Sequence, residues 1–191
     1  MNANAEPLDE AVDDAIVAAI EAHVDVRVEQ EGGSWTLVMR REYAQAPERL
    51  WAMLTEPELL AKWSPVVPDR PLTSVGPATC IENPGDEPHD AEVLLVDPPR
   101  ALTHRWGSEV LGWTIEPSGS GSILELRQSL SERSAATQWA ASGWHVCLGR
   151  LGAEDGTPHE RVVGMRAMDY GWEALRERYE AQLGGAGSGE A

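Results

Sequence analysis

The sequence predicts an α+β fold in which a curved antiparallel β-sheet is wrapped on a long C-terminal helix, with two short helices closing one end. Three observations predict it. Residues 72–132 alternate apolar and polar positions and are broken by closely spaced turn dipeptides. The segment before them, Ala46–Pro65, has helical spacing bounded by prolines, and the chain beyond Glu132 returns to helical spacing. A curved sheet with one apolar face needs a cover, and a long C-terminal helix across the concave side supplies it.

The elements follow in order. Residues 1–31 carry nine carboxylates against the single base Arg27. Within them Leu8, Val12, Ile16 and Ile20 recur every four residues, one stripe of an amphipathic helix from Leu8 to His23. The stripe is expected to dock on the chain's own domain, a second subunit being the alternative. Val24, Val26 and Val28 alternate with charged residues, Gly32-Gly33 marks a turn, and Trp35, Leu37 and Met39 alternate again, so 24–30 and 34–44 pair as a hairpin. Pro47 suits a first helical turn, with Leu50, Trp51 and Leu54 on one face. Thr55 and Glu58 have the spacing of a capping box for a second short helix, whose buried side is Leu59, Leu60 and Trp63.

Strands are expected at 73–82, 89–97, 101–107, 110–117 and 122–131, a five-strand antiparallel meander joined by Asn83-Pro84-Gly85, Pro98-Pro99, Gly107-Ser108 and Gly119. Leu102, His104 and Trp106 share one face, as do Leu111, Trp113 and Ile115, and likewise Leu124, Leu126, Gln128 and Leu130. Trp144, Leu148 and Leu151 then recur at helical spacing, and Gly143 is read as a point of close approach to another backbone. Beyond a linker near Gly156–Pro158, Met168, Trp172, Leu175, Tyr179 and Leu183 form a final stripe, followed by the flexible tail 184–191.

Composition narrows the classes of function. The 191 residues include 15 basic and 32 acidic ones, a formal charge of −17, which disfavours phosphate backbones and hence nucleic acid. A polybasic membrane patch, a membrane-length apolar run and a signal-peptide pattern are all missing, so no membrane partner is expected. Cys80 and Cys147 have no CxxC partner, and His23, His89, His104, His145 and His159 show neither HxH nor HExxH spacing. A reduced, cytoplasmic protein with no metal and no cofactor is the expectation. Eight Trp, three Tyr and no Phe point to an interior built from large rings.

The runs APERLWAMLTEPELLAKWSP, ALTHRWG, SILELRQSL, SGWHVCLGRL and YGWEALRERYEAQLG resemble the heat-shock-protein-90 ATPase activator-like family of the START-related (SRPBCC) superfamily. The likeness spans about residues 34–183, making 1–33 an acidic N-terminal extension. It implies the helix-grip fold and a cavity between sheet and long helix, where relatives hold lipids, polyketides, hormones or other apolar ligands; a few are cyclases or hydrolases. The chaperone activator carries a further N-terminal domain for which 33 residues are too short, which argues against a chaperone partner. Gln128 stands where relatives often carry His, and an amide cannot act as acid or base near neutrality.

The cavity candidates are Trp51, Leu54, Leu60, Trp63, His104, Trp106, Trp113, Leu126, Gln128, Trp144 and Leu148; no catalytic residue is assigned. The Trp rings either line an open cavity or fill it. His104 and Gln128 either orient a ligand's polar end or are satisfied core residues, and His145 joins them or sits on a helix flank. The first reading is a binding module for a small apolar molecule, acting as monomer or homodimer. An interaction or chaperone-cofactor module comes second, and an enzyme of cyclase or hydrolase type using His104 comes third.

Overall fold

The computed structural model describes residues 12–184. Helix α1 (Asp14–Ile20) leads into the hairpin β1 (Asp25–Glu31) and β2 (Ser34–Tyr43), then α2 (Pro47–Thr55) and α3 (Pro57–Leu60). Short strands β3 (Val67–Pro68), β4 (Thr79–Ile81) and β5 (His89–Asp90) precede the long run β6 (Val93–Asp97), β7 (Ala101–Trp106), β8 (Glu109–Ser118) and β9 (Gly121–Leu130). A helical run follows: α4 (Arg133–Ala135), a π-helical turn over Ala136–Ala140, and α5 (Ala141–Gly152). A 3-10 helix (Gly164–Tyr170) and α6 (Trp172–Gly184) complete the described chain.

The main sheet is six-stranded and antiparallel, in the order β1-β2-β9-β8-β7-β6. The expected alternation decides its faces. Leu124, Leu126, Gln128 and Leu130 of β9 are buried, as are Leu111, Trp113 and Ile115 of β8 and Leu102 and His104 of β7. The opposite face carries ion pairs between Arg27, Arg40 and Arg127 and Glu29, Glu116 and Glu125. Helix α5 lies in the concave side, where the Tyr43 hydroxyl donates to the Leu148 carbonyl at 3.1 Å. This is the helix-grip arrangement, with α6 packed on the outer side of α5 through Leu175 and Tyr179.

Several expectations change. The meander has four strands in the main sheet, β6 to β9; residues 73–82 contribute only β4, in a separate three-stranded sheet of order β3-β4-β5, and residues 89–97 divide between β5 and β6. Pro71, Pro77, Pro84 and Pro88 remove ladder donors from this stretch, and an isolated bridge joins Gly76 to Val93. The Thr55–Glu58 capping box does not form, because Thr55 still belongs to the last turn of α2. Its hydroxyl donates back to the Trp51 carbonyl at 2.8 Å, and Pro57 starts α3 instead. Met168 lies in the 3-10 helix rather than on the final stripe, since Gly171, at φ 83°, breaks the chain before α6.

At the N-terminus, Leu8 and the start of the expected helix lie outside the described residues, as do residues 185–191 of the tail. From Asp13, which caps Ala15 N–H at 2.9 Å, the helix is present, and Ile16 and Ile20 are buried while Val12 is exposed. It rests on α5 of the same chain. The contact depends on Gly149, where a Cβ would stand 2.3 Å from Ile20 Cγ1. Close approach therefore belongs to Gly149; at Gly143 a Cβ would meet only Trp172 Nε1, at 3.9 Å. Arg41 donates to the Ala19 carbonyl at 2.7 Å, and the His145 Nε2–H donates to that of Ile20 at 2.8 Å, so the C-terminal carbonyls of α1 find partners.

Candidate functional site

The inner face of β7, β8 and β9 sets the site, because strand register brings His104 opposite Leu111 and Leu111 opposite Gln128. Four indoles form a chain of edge-to-face contacts across this face. Trp63 meets Trp113 at 6.0 Å between centroids, Trp113 meets Trp144 at 5.4 Å, and Trp144 meets Trp106 at 5.8 Å. Trp63, Trp113 and Trp144 are almost fully buried, so in the middle of the sheet the rings fill the space under α5.

Each buried indole N–H has a partner. Trp63 donates to the Met53 carbonyl at 3.0 Å, Trp113 to His104 Nε2 at 3.2 Å, and Trp144 to Gln128 Oε1 at 2.7 Å. His104 Nδ1–H donates to the Arg105 carbonyl at 2.9 Å, so both ring nitrogens are engaged and the tautomer is set. Burial pushes its pKa down to about 4, and the ring is neutral near neutrality. Gln128, fully buried, turns its other end outward, and Nε2–H donates to the Glu109 carboxylate. A polar path thus runs from the Trp144 ring through Gln128 to Glu109. Burial raises the Glu109 pKa, opposed by the Gln128 hydrogen bond.

Glu109 stands on the wall of an open cleft of about 640 Å³ at one end of the helix–sheet interface. One wall is Trp106 with the turn into β8. A second is Trp139, Ala140, Gly143, Trp144 and Cys147 on the π-helical turn and α5. The third is Val163, Gly164, Ala167 and Met168 with Trp172, and Pro65, Glu82 and His89 close the remaining side. Trp139 and Met168 are exposed at the rim. Burial pushes the Cys147 thiol up to about 12, which leaves it protonated and unreactive. A second hollow, of about 570 Å³, lies beside the α1–β1 turn; it is walled by Glu21 to Arg27, Arg178 and Gln182 and meets none of the candidate residues.

Of the residues singled out in the sequence, Trp106 and Trp144 line the cleft. Gln128, His104 and Trp113 stand directly behind it as hydrogen-bonded core. Trp63, Leu54, Leu60, Leu126 and Leu148 are core residues, and Trp51 packs half-buried against them. His145 lies on the other side of α5, between Ile20 and Tyr179. Trp139, Trp172, Gly143 and Glu109 are cleft residues that the sequence reading did not assign. Trp139 carries a usable signal, a single large apolar ring in the Ala-rich helical turn Ala136–Ala140.

No curated protein matches the chain in sequence. Among solved structures, CalU16 from Micromonospora echinospora is 20% identical with a TM-score of 0.59, over 84% of this chain and 96% of that one. EF2215 from Enterococcus faecalis, a conserved protein of unknown function, is 15% identical with a TM-score of 0.64, over 88% and 94%. DynU16, from the dynemicin biosynthetic locus, is 24% identical with a TM-score of 0.56, over 66% of this chain and 50% of its own. At these identities the likeness is one of fold. In sequence, residues 44–154 match the family described as Activator of Hsp90 ATPase homolog 1-like protein. That match runs from Ala44, directly after β2, to just past the end of α5, more than half of the chain, and the protein belongs to this family of the START-related superfamily.

Proposed function

We propose that the protein binds a small, mostly apolar ligand in the cleft between β7–β8, α5 and the start of α6. The observation that carries this reading is the lining: Trp106, Trp139, Trp144 and Trp172 surround about 640 Å³ of space, with few polar groups among them. Ligand sites have this character, an apolar concavity with a small number of placed polar groups. Two of the rings, Trp139 and Trp172, are at least partly open to solvent, and burying aromatic surface on a ligand is favourable. The membership of a superfamily with ligand-binding relatives supports the same reading, although a fold alone does not assign a function. The ligand reading differs from the sequence expectation in place: the site lies at the end of the helix–sheet interface, beyond the Trp63–Trp113 packing.

Gly143 supplies the test. It lies on the cleft wall with room for a Cβ, and its place in α5 suits a helix-forming side chain. Gly143→Leu should fill the cleft without unfolding the protein. Native mass spectrometry of both forms, purified from the natural host, should find an apolar molecule on the wild type and none on the variant. Equal occupancy of both, or a bare wild type, overturns the reading.

A further inference from the structure

The charged groups on the cleft wall are carboxylates, beside one imidazole, His89. The carboxylates are Glu109 and Glu82, and no Lys or Arg is among the lining residues. Glu109 is partly buried and accepts a hydrogen bond from the Gln128 amide, which is its sole partner among the described residues. A carboxylate withdrawn from water and given only one neutral donor is under-compensated. Arg161 donates to the Ser64 and Glu82 carbonyls, at 2.8 and 2.7 Å, and Arg176, 6.0 Å from the centroid of the Trp172 ring, pairs with Glu180.

Resting on the ligand reading above, we infer that the cleft selects an organic cation: a protonated or quaternary amine carrying an apolar body, its charge facing Glu109 and the Trp106 and Trp144 rings. Indole faces attract cations through the ring quadrupole, most strongly where water is excluded. Trp144 and Glu109 are linked through Gln128, so ring and carboxylate are held in fixed relation. The wider field agrees in sign, since a net charge of −17 raises the local concentration of cations and disfavours anionic ligands. The outward row Trp139, Met168 and Trp172 receives the apolar body.

Equilibrium dialysis with two probes tests this. Benzyltrimethylammonium carries the charge, and neopentylbenzene is its uncharged carbon isostere. The unmodified protein should bind the cation on the order of tenfold more tightly than the isostere. Glu109→Gln keeps the shape and an acceptor for Gln128 but removes the charge. It should cut the preference for the cation several-fold, the rings and the net charge keeping the remainder, with the fold checked by circular dichroism. Equal binding of both probes by the unmodified protein overturns the cation assignment and leaves the cleft reading standing. A preference undiminished in a folded Glu109→Gln does the same. Binding of neither probe also overturns it; the cleft reading itself falls only if the wild type from its host is bare as well. Should the variant fold poorly, the comparison of probes on the unmodified protein decides the question.

Discussion

His104 and His145 each give both ring nitrogens to fixed partners, and neither is left to take a proton cheaply. His145 Nε2–H donates to the Ile20 carbonyl, so Nδ1 accepts from the Tyr179 hydroxyl at 2.5 Å. Burial pushes both rings down to about 4, from an ordinary value of 6.5. The sign of the consequence follows from proton counting. Between these values the unfolded chain binds protons that the folded chain does not. Their contribution to stability is therefore complete above about pH 6.5 and is lost as pH falls towards 4. Each histidine should contribute a slope of about 1.4 kcal/mol per pH unit in that window. Urea denaturation at pH 7, 6 and 5 would measure it, and His104→Gln should remove about half. A profile unchanged by the substitution would mean that His104 is accessible to solvent protons. Trp144 is the companion case. It is 3% exposed, donates to Gln128 and touches two other indoles. Trp144→Ala should cost about 3–5 kcal/mol, and a loss below about 1 kcal/mol would place the ring on an open wall rather than in the core.

Helix α1 is too short to persist alone, since nucleation of an isolated helix is unfavourable. Its order comes from what it touches: Ile16 and Ile20 against α5, Gly149 giving the close approach, and the side chains of Arg41 and His145 on its last carbonyls. A further tie joins His159 Nδ1 to the Asp13 carboxylate at 2.7 Å. Deletion of residues 1–23 should therefore lower the denaturation midpoint by uncovering this groove, and light scattering should show the same oligomeric state before and after. A dimer that becomes a monomer on truncation would assign the stripe to a partner subunit. This element was legible in the sequence from the four-residue spacing of Leu8, Val12, Ile16 and Ile20, of which Ile16 and Ile20 are buried and Val12 is exposed, while Leu8 lies outside the described residues. The inward faces of β7, β8 and β9 were legible for a similar reason, because a period of two in a half-buried strand leaves each side chain one choice of face. The π-helical turn at Ala136–Ala140 was not. A π turn depends on a shift of hydrogen bonding by one residue, for which no residue type is diagnostic, and it decides where Trp139 points.

Across the whole molecule, two layers and two kinds of surface are arranged around one core. The outer face of the sheet is laced with alternating Arg and Glu, and the helical side carries α1, α5 and α6. The fold class could be read in advance because alternating strands, short turns and a terminal helical run admit few covers for one apolar face. The site could be read only in part. Trp106 and Trp144 follow from strand and helix periodicity. Glu109 does not, because its partner comes from the adjacent strand: Gln128 of β9, opposite Leu111, reaches Glu109 two residues back along β8. The segment 73–90 also resisted, since its prolines and glycines favour turns locally but do not say which sheet the surviving pairs join.

The chain of rings has an optical consequence. Indoles at centroid separations of 6.0, 5.4 and 5.8 Å, from Trp63 through Trp113 and Trp144 to Trp106, are close enough for excitation to pass from ring to ring before it is emitted. Trp63 and Trp113 lie in the core, while Trp144 and Trp106 line the cleft. Light absorbed deep in the core can thus be emitted, or quenched, at the mouth. An occupant of the cleft would change the fluorescence of rings it does not touch, and the protein carries its own unlabelled indicator of whether anything is bound.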